Sequence, residues 1–185
     1  MDSENQRRYR TALASQEDHP VTSFRHFSAM TSGSEPSDSS EFLTLLKSEN
    51  VFVVHSRRRN GLILFKPFHA EFAGPGAAVG SHYDRDCQGV IPVGNLSLLT
   101  PDSHAECQKA YLIRRQWVRL TKQITENKLP QQRVQMILNQ FESYFDSDTV
   151  AQLPDEAFAL LVGVLPQTVK MVRRTAVVVE GRGRG

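Results

Sequence analysis

A chain of 185 residues with 39% hydrophobic content can bury one core of ordinary size or two small ones. Its longest apolar run, 157–165, is about half the length that a membrane-spanning helix needs, and no signal-peptide pattern occurs near the start, so we expect a cytoplasmic protein. Lys plus Arg exceed Asp plus Glu by only two overall, but the last twenty residues carry five cations against one acid, Glu180, which makes the C-terminal end basic.

The N-terminal stretch 1–40 is rich in Ser, Glu, Asp, Gln and Thr and has no sustained apolar periodicity. Such a segment buries too little apolar surface to offset the entropy of ordering it, so 1–40 is predicted to be a flexible arm. A short helix is predicted to follow over 41–47, where the sequence reads EFLTLLK.

Two runs of β-branched and aromatic residues come next, at 51–55 and 62–65. The turn between them ends in Asn60-Gly61, a pair that tolerates positive φ, so the two runs are predicted to form a β-hairpin. Glycine and proline recur through 70–99 and predict short strands joined by loops. We therefore expect 41–102 to be a small β-rich region.

A helical period begins near residue 103. Five apolar residues recur at spacings of 3, 4, 3 and 4, which is an a/d seam and predicts a long helix over 103–126. Such a seam more often packs within one chain, but it can also join two copies, and we interpret 103–129 as a dimerisation helix. The predicted dimerisation residues are Ala110, Ile113, Trp117, Leu120 and Ile124.

Cations cluster at two places before the C-terminal end. The turn 56–61 contains three adjacent arginines, which could hold phosphate or nucleic acid, although a solvated turn is the simpler interpretation. On the helix predicted over 103–126, cations flank the seam, so the opposite face is expected to be solvated and basic. These cations are Arg114, Arg115, Arg119 and Lys122.

Pro130 begins a further amphipathic helix, whose apolar residues recur at helical spacing from Val134 to Phe145. The segment 154–175 then predicts two short helices joined by a tight corner at Gly163, with Pro166 at the first position of the second helix. The residues predicted to turn inward are Phe158, Leu161 and Val162 on the first helix and Val169 and Val172 on the second.

The outward face of the second helix has the chemistry needed to read a major groove. A glutamine can pair with adenine, an arginine can pair bidentately with guanine, and a lysine can contact phosphate. Arg173 and Arg174 are expected to make base or phosphate contacts. The predicted DNA-binding residues are Gln167, Thr168, Lys170, Arg173, Arg174, Arg182 and Arg184.

These residues carry a resemblance to a known family. Leu161-Val-Gly163 followed by Gln167-Thr-Val169 resembles the turn and recognition helix of the cyclic-AMP receptor protein/Fnr family of bacterial transcription regulators. The resemblance covers 103–185 and implies a dimerisation helix, a helix with Arg133 near its start, and a wing strand over 176–185. The chain departs from the family at Leu165, where a Ser or Thr helix cap is usual. Residues 51–99 do not carry the family's nucleotide-binding signature, so cyclic nucleotide binding is not implied.

Other kinds of site have weaker support in the sequence. His82, Cys87, His104 and Cys107 are four potential zinc ligands, but their spacing is not that of a known zinc site, and we expect neither a metal nor a cofactor. No catalytic triad or phosphate-binding loop can be assigned, so we expect a protein that is not an enzyme.

The sequence thus predicts an α+β protein with a small β-rich middle region, a long dimerisation helix and a winged-helix-like helix-turn-helix. Its predicted segments are 1–40, 41–102, 103–129 and 130–185. The function predicted is that of a homodimeric transcription regulator that binds double-stranded DNA. The alternative is a non-catalytic interaction or assembly factor whose helices bind a protein partner and whose helix-turn-helix is degenerate.

Overall fold

The computed structural model describes residues 26–28 and 37–182, with side chains described from 39 to 175. It confirms an α+β fold, in which two small antiparallel sheets pack with helices around one hydrophobic core. The strands described are β1 (His26–Ser28), β2 (Val51–Val54), β3 (Asn60–Phe65), β4 (Ala70–Ala73), β5 (Ala78–Gly80), β6 (Gly89–Gly94) and β7 (Ser97–Leu99). The helices described are α1 (Ser37–Leu46), α2 (His104–Thr125), α3 (Pro130–Tyr144), α4 (Ser147–Gln152), α5 (Asp155–Val162) and α6 (Pro166–Arg182).

The strands predicted at 51–55 and 62–65 both form, but the hairpin between them is wrong. β2 pairs with β5 and β7 in a sheet of order β1-β7-β2-β5, whereas β3 is the central strand of a second sheet of order β4-β3-β6. Buried Asn60 fixes the turn where the chain passes from the first sheet to the second. Its side-chain amide donates to the carbonyls of His55 and Arg58 at 3.0 Å, and its side-chain oxygen accepts a hydrogen bond from the Ser97 amide at 3.4 Å. The turn therefore connects two sheets instead of two neighbouring strands.

The predicted arm over 1–40 is wrong at two places. Residues 26–28 form β1, which pairs antiparallel with β7. The short helix predicted at 41–47 is confirmed as α1, but it begins at Ser37, inside the predicted arm. The rest of the arm lies outside the described residues.

The long helix is confirmed as α2, and its start is set by local chemistry. The Ser103 hydroxyl accepts a hydrogen bond from the Glu106 amide at 3.2 Å, and the Glu106 carboxylate accepts one from the Asp102 amide at 2.8 Å. These two bonds satisfy amide groups that a helix N-terminus otherwise leaves unpaired.

The seam of α2 packs inside the same chain, which corrects its assignment as a dimer interface. Trp117 is 5% exposed and lies edge-on to Phe72 of β4, with ring centroids 5.3 Å apart, and it also contacts Tyr144 of α3. A side chain that already fills the core is unavailable to a second copy. The other four predicted dimerisation residues share this environment: Ala110 and Ile124 are buried, and Ile113 and Leu120 are partly buried against the core.

The core is continuous across the predicted segment boundaries. Phe72 of β4 lies 4.8 Å from Phe141 of α3, and Phe141 lies 5.0 Å from Phe158 of α5, measured between ring centroids. One cluster of buried residues thus runs from the sheets to the last helices. The predicted segments differ in secondary structure but share one core.

The predicted wing strand is wrong, because α6 continues as a helix through 176–182. A strand needs a neighbour to complete its backbone hydrogen bonds, whereas a helix gains one bond for each residue added. No strand in the described ranges pairs with this segment. Along the described residues, no helix is both long and apolar enough to cross a membrane.

Candidate nucleic-acid interface

The helix pair predicted from the sequence is confirmed as α5 and α6. Gly163 ends α5 in the left-handed conformation, with φ 63° and ψ 52°, and its amide donates to the Ala159 carbonyl. Glycine adopts this conformation without the steric penalty that a Cβ imposes. Pro166 is the first residue of α6, where its missing amide hydrogen is not needed.

Both helices are fixed by buried apolar side chains on their inner faces. Phe158, Leu161 and Val162 of α5 are almost fully buried, as are Val169 and Val172 of α6. These five inward positions are confirmed. The two helices also pack on α3, so α3, α5 and α6 form a three-helix unit with α6 at its surface.

The outer face of α6 presents a short row of polar and basic side chains. Gln167, Lys170 and Arg174 are exposed, and they follow one another at helical spacing of three and four residues. Met171 lies beside them and is also exposed, while Thr168 is partly buried. Residues 166–175 contain no Asp or Glu, so this face carries only positive charge.

Arg173 does not belong to this row, which corrects the expectation that it points outward. Its guanidinium donates to the carbonyls of Leu153 at 2.9 Å, Val150 at 3.2 Å and Ala151 at 3.3 Å, at the C-terminal end of α4. It also pairs with the Asp155 carboxylate at 3.3 Å and lies 5.1 Å from the centre of the Phe158 ring. Arg173 therefore holds α6 to α4 and α5.

Comparison with known proteins gives no family for this chain. It matches no family model, no curated protein and no solved structure. The resemblance to the cyclic-AMP receptor protein/Fnr family therefore rests on the sequence pattern over 103–185 alone.

The last two predicted DNA-binding residues lie at the edge of what is described. Arg182 is the final residue of α6, and Arg184 lies outside the described residues.

Leu165, which precedes α6, has 69% of its surface exposed and offers no side-chain oxygen to the first amides of the helix. The Thr168 amide instead donates to the Leu165 carbonyl at 2.9 Å.

Sequence reasoning missed a buried ionic network between α2 and the second sheet. The Lys66 ammonium lies 3.0 Å from the Asp84 carboxylate and also bonds to Asp86, while Arg114 pairs with Glu71 and lies 3.5 Å from Asp84. Arg114 was expected on the solvated face of α2, but only 11% of its side chain is exposed. Its partners are far away in sequence, Glu71 by 43 residues, so no local spacing indicates the network.

Electrostatics inside this network favour the charged forms. Burial disfavours the Glu71 carboxylate, but the Arg114 guanidinium, together with His69 and Lys66, holds the pKa of Glu71 below its ordinary value. Burial likewise disfavours the Lys66 ammonium, but hydrogen bonds to Asp86 and Asp84 raise the pKa of Lys66 above its ordinary value. With its charges paired, the network ties α2 to β4 through Glu71 and to Asp84 in the loop after β5.

The four potential zinc ligands are not brought together. Cys87 is buried, its thiol donates to the Gly89 carbonyl at 3.1 Å, and burial raises its pKa. In the described portion of the chain, no three His, Cys, Asp or Glu side chains form a group that could hold a metal ion.

Proposed function

We propose that this protein is a DNA-binding transcription regulator that reads a major groove with α6. One observation carries the proposal: Gln167, Lys170 and Arg174 form an exposed row on a helix that Val169 and Val172 anchor from the other side. A helix anchored by its inner face and basic on its outer face is the arrangement by which helix-turn-helix proteins enter a groove.

Each exposed side chain suits a different contact with duplex DNA. Arg174 can donate two hydrogen bonds to guanine, Gln167 can pair with adenine, and Lys170 can neutralise a phosphate. Met171 offers an apolar surface for a thymine methyl group. The sequence predicts base or phosphate contacts for both Arg173 and Arg174; in this proposal Arg174 alone makes them.

Homodimerisation and a cytoplasmic location belong to the same proposal. A symmetric dimer would read two half-sites about one helical turn apart, and a regulator must reach the DNA it controls. Because the α2 seam is buried within one chain, the dimer would have to use another surface.

A protein-interaction factor is the second candidate function, and a specific observation favours it. Leu165 is 69% exposed and Met171 is 46% exposed at the same helix pair, while the Arg173 guanidinium is bound to the carbonyls at the end of α4. Exposed apolar side chains beside few free cations are more typical of a protein-binding face than of a phosphate-binding one.

Selection of bound duplexes from a random pool tests the proposal directly. The full chain should enrich a defined sequence, and its affinity for that sequence should fall steeply as salt rises. Lys170→Gln/Arg174→Gln should remove most of the enrichment, whereas Lys47→Gln/Arg85→Gln, which removes the same charge at exposed positions elsewhere, should leave it intact. A pool that emerges without any enriched sequence would favour the protein-interaction factor.

A further inference from the structure

The solvent face of α2 carries a strip of cations, which we call the basic strip. Its members span fourteen residues of the helix, or about 20 Å at a rise of 1.5 Å per residue. All are exposed, and α2 contains no Asp or Glu after Glu106. The basic strip consists of Lys109, Arg115, Arg119 and Lys122.

The fold pairs the inward cation of α2 with carboxylates, whereas the outward cations have no ion pair among the described residues. Arg114 pairs with Glu71 and lies near Asp84. Within the ranges that the structure describes, no member of the basic strip has an acidic partner within 4.0 Å. Four like charges on one helix face repel one another unless an anion lies against them.

A second group of cations lies beside the same helix. Arg57, Arg58 and Arg59, which we call the arginine loop, are all exposed in the connection between β2 and β3. A Cβ on Gly76 would lie 3.0 Å from Ile113 of α2 and 3.9 Å from Ser56, the residue before the arginine loop. The loop thus begins near Ile113, in the middle of α2, and adds three exposed cations to this part of the protein.

We infer that the basic strip and the arginine loop bind the sugar-phosphate backbone of duplex DNA, independently of base sequence. This inference rests on the proposed function in naming DNA as the anion, and it adds a second set of contacts to those of α6. Duplex DNA carries one negative charge per about 1.7 Å of axis when both strands are counted, so a 20 Å length of duplex carries on the order of ten phosphates, some of which face the strip.

Charge complementarity favours a nucleic acid over a lipid surface. A helix that lies on a membrane inserts an apolar face among the lipids, but the apolar face of α2 is buried against the sheet and α3. Leu112 is the large hydrophobic residue exposed on α2 among the strip's cations. The exposed face is thus suited to phosphates in water.

The test compares the full chain with two variants on a duplex of random sequence. Arg115→Gln/Arg119→Gln removes two charges from the basic strip, and Lys47→Gln/Arg85→Gln removes two exposed charges elsewhere as the matched control. At 0.1 M salt, the strip variant should lose roughly tenfold in affinity for the duplex for each phosphate contact removed. A plot of log affinity against log salt concentration should also become shallower by about 0.9 per contact. Arg57→Gln/Arg58→Gln should act in the same direction, and thermal melting checks that each variant remains folded.

The outcomes separate this inference from the proposed function. If Lys170→Gln/Arg174→Gln has no effect while the strip variant weakens binding, reading by α6 fails and the backbone contact stands. If the strip variant behaves like the control, the inference is overturned even where α6 proves active. If polyglutamate of matched charge displaces the protein from its complex as well as duplex DNA does, the basic strip binds an acidic protein. If the protein is retained on phosphatidylserine vesicles but not on duplex DNA, the strip binds a membrane. Either result would overturn the inference.

Discussion

Replacing Arg173 with alanine removes the guanidinium that joins α6 to the end of α4. Three carbonyls, those of Val150, Ala151 and Leu153, lose a charged donor. A hydrogen bond to a charged group contributes about 1.5–3 kcal/mol, but 26% of the side chain is exposed, so water can reach part of the vacated site. The ion pair with Asp155 adds at most about 1 kcal/mol. Because the contributions of the hydrogen bonds and the ion pair are not additive, we expect the free energy of unfolding to fall by about 2–3 kcal/mol.

Arg174→Ala is the matched control, since it removes the same side chain from the next residue of the same helix. Arg174 is exposed and makes no ion pair within the described ranges, so its replacement should change stability by less than about 0.5 kcal/mol. Urea denaturation can be followed by the fluorescence of Trp117, the single tryptophan, which is buried in the core. The Arg173 variant should shift the midpoint by about 1 M, for a slope of about 2–3 kcal/mol per molar urea.

The two variants should also differ in binding. Arg174→Ala should weaken duplex binding while its midpoint in urea stays in place. Arg173→Lys should restore little stability, because one ammonium nitrogen replaces the three guanidinium nitrogens that contact the carbonyls and Asp155. Equal midpoints for the Arg173 and Arg174 variants would show that the contacts at the end of α4 do not stabilise the fold.

Three further changes test other parts of the structure. Trp117→Ala should lower the free energy of unfolding by about 3–5 kcal/mol, measured by urea denaturation followed by circular dichroism. Sedimentation should show no change of oligomeric state. Dissociation of a folded dimer into folded monomers would instead show that the seam is a dimer interface. Glu71→Gln should reduce the loss of stability in acid. The lowered pKa of Glu71 contributes stability that is present above the unfolded pKa of about 4.3 and disappears as pH falls through the folded value. Melting temperatures from pH 7 to pH 3 measure this loss, and parallel curves for the variant and the parent would contradict the prediction. Leu165→Ser should raise the melting temperature by supplying a cap worth about 1 kcal/mol to α6, and an unchanged or lower value would show that the hydroxyl does not reach the helix amides.

Local signals in the sequence predicted most of the helical part of this protein. Pro130 and Pro166 begin α3 and α6, and Gly163 forms the corner before the last helix. Each signal acts through the conformation of one residue or through bonds to residues within one turn. The sequence therefore determined where these helices begin and which of their faces are apolar.

Tertiary structure decided the partners of those elements. It separated β2 and β3 into different sheets, and it buried the seam of α2 inside one chain. It also turned Arg173 toward carbonyls up to 23 residues away and paired Arg114 with Glu71, which is 43 residues away. Hydrophobic periodicity fixes which face of an element is apolar, but what covers that face depends on packing among distant segments, and that packing decided which of the described cations lie exposed.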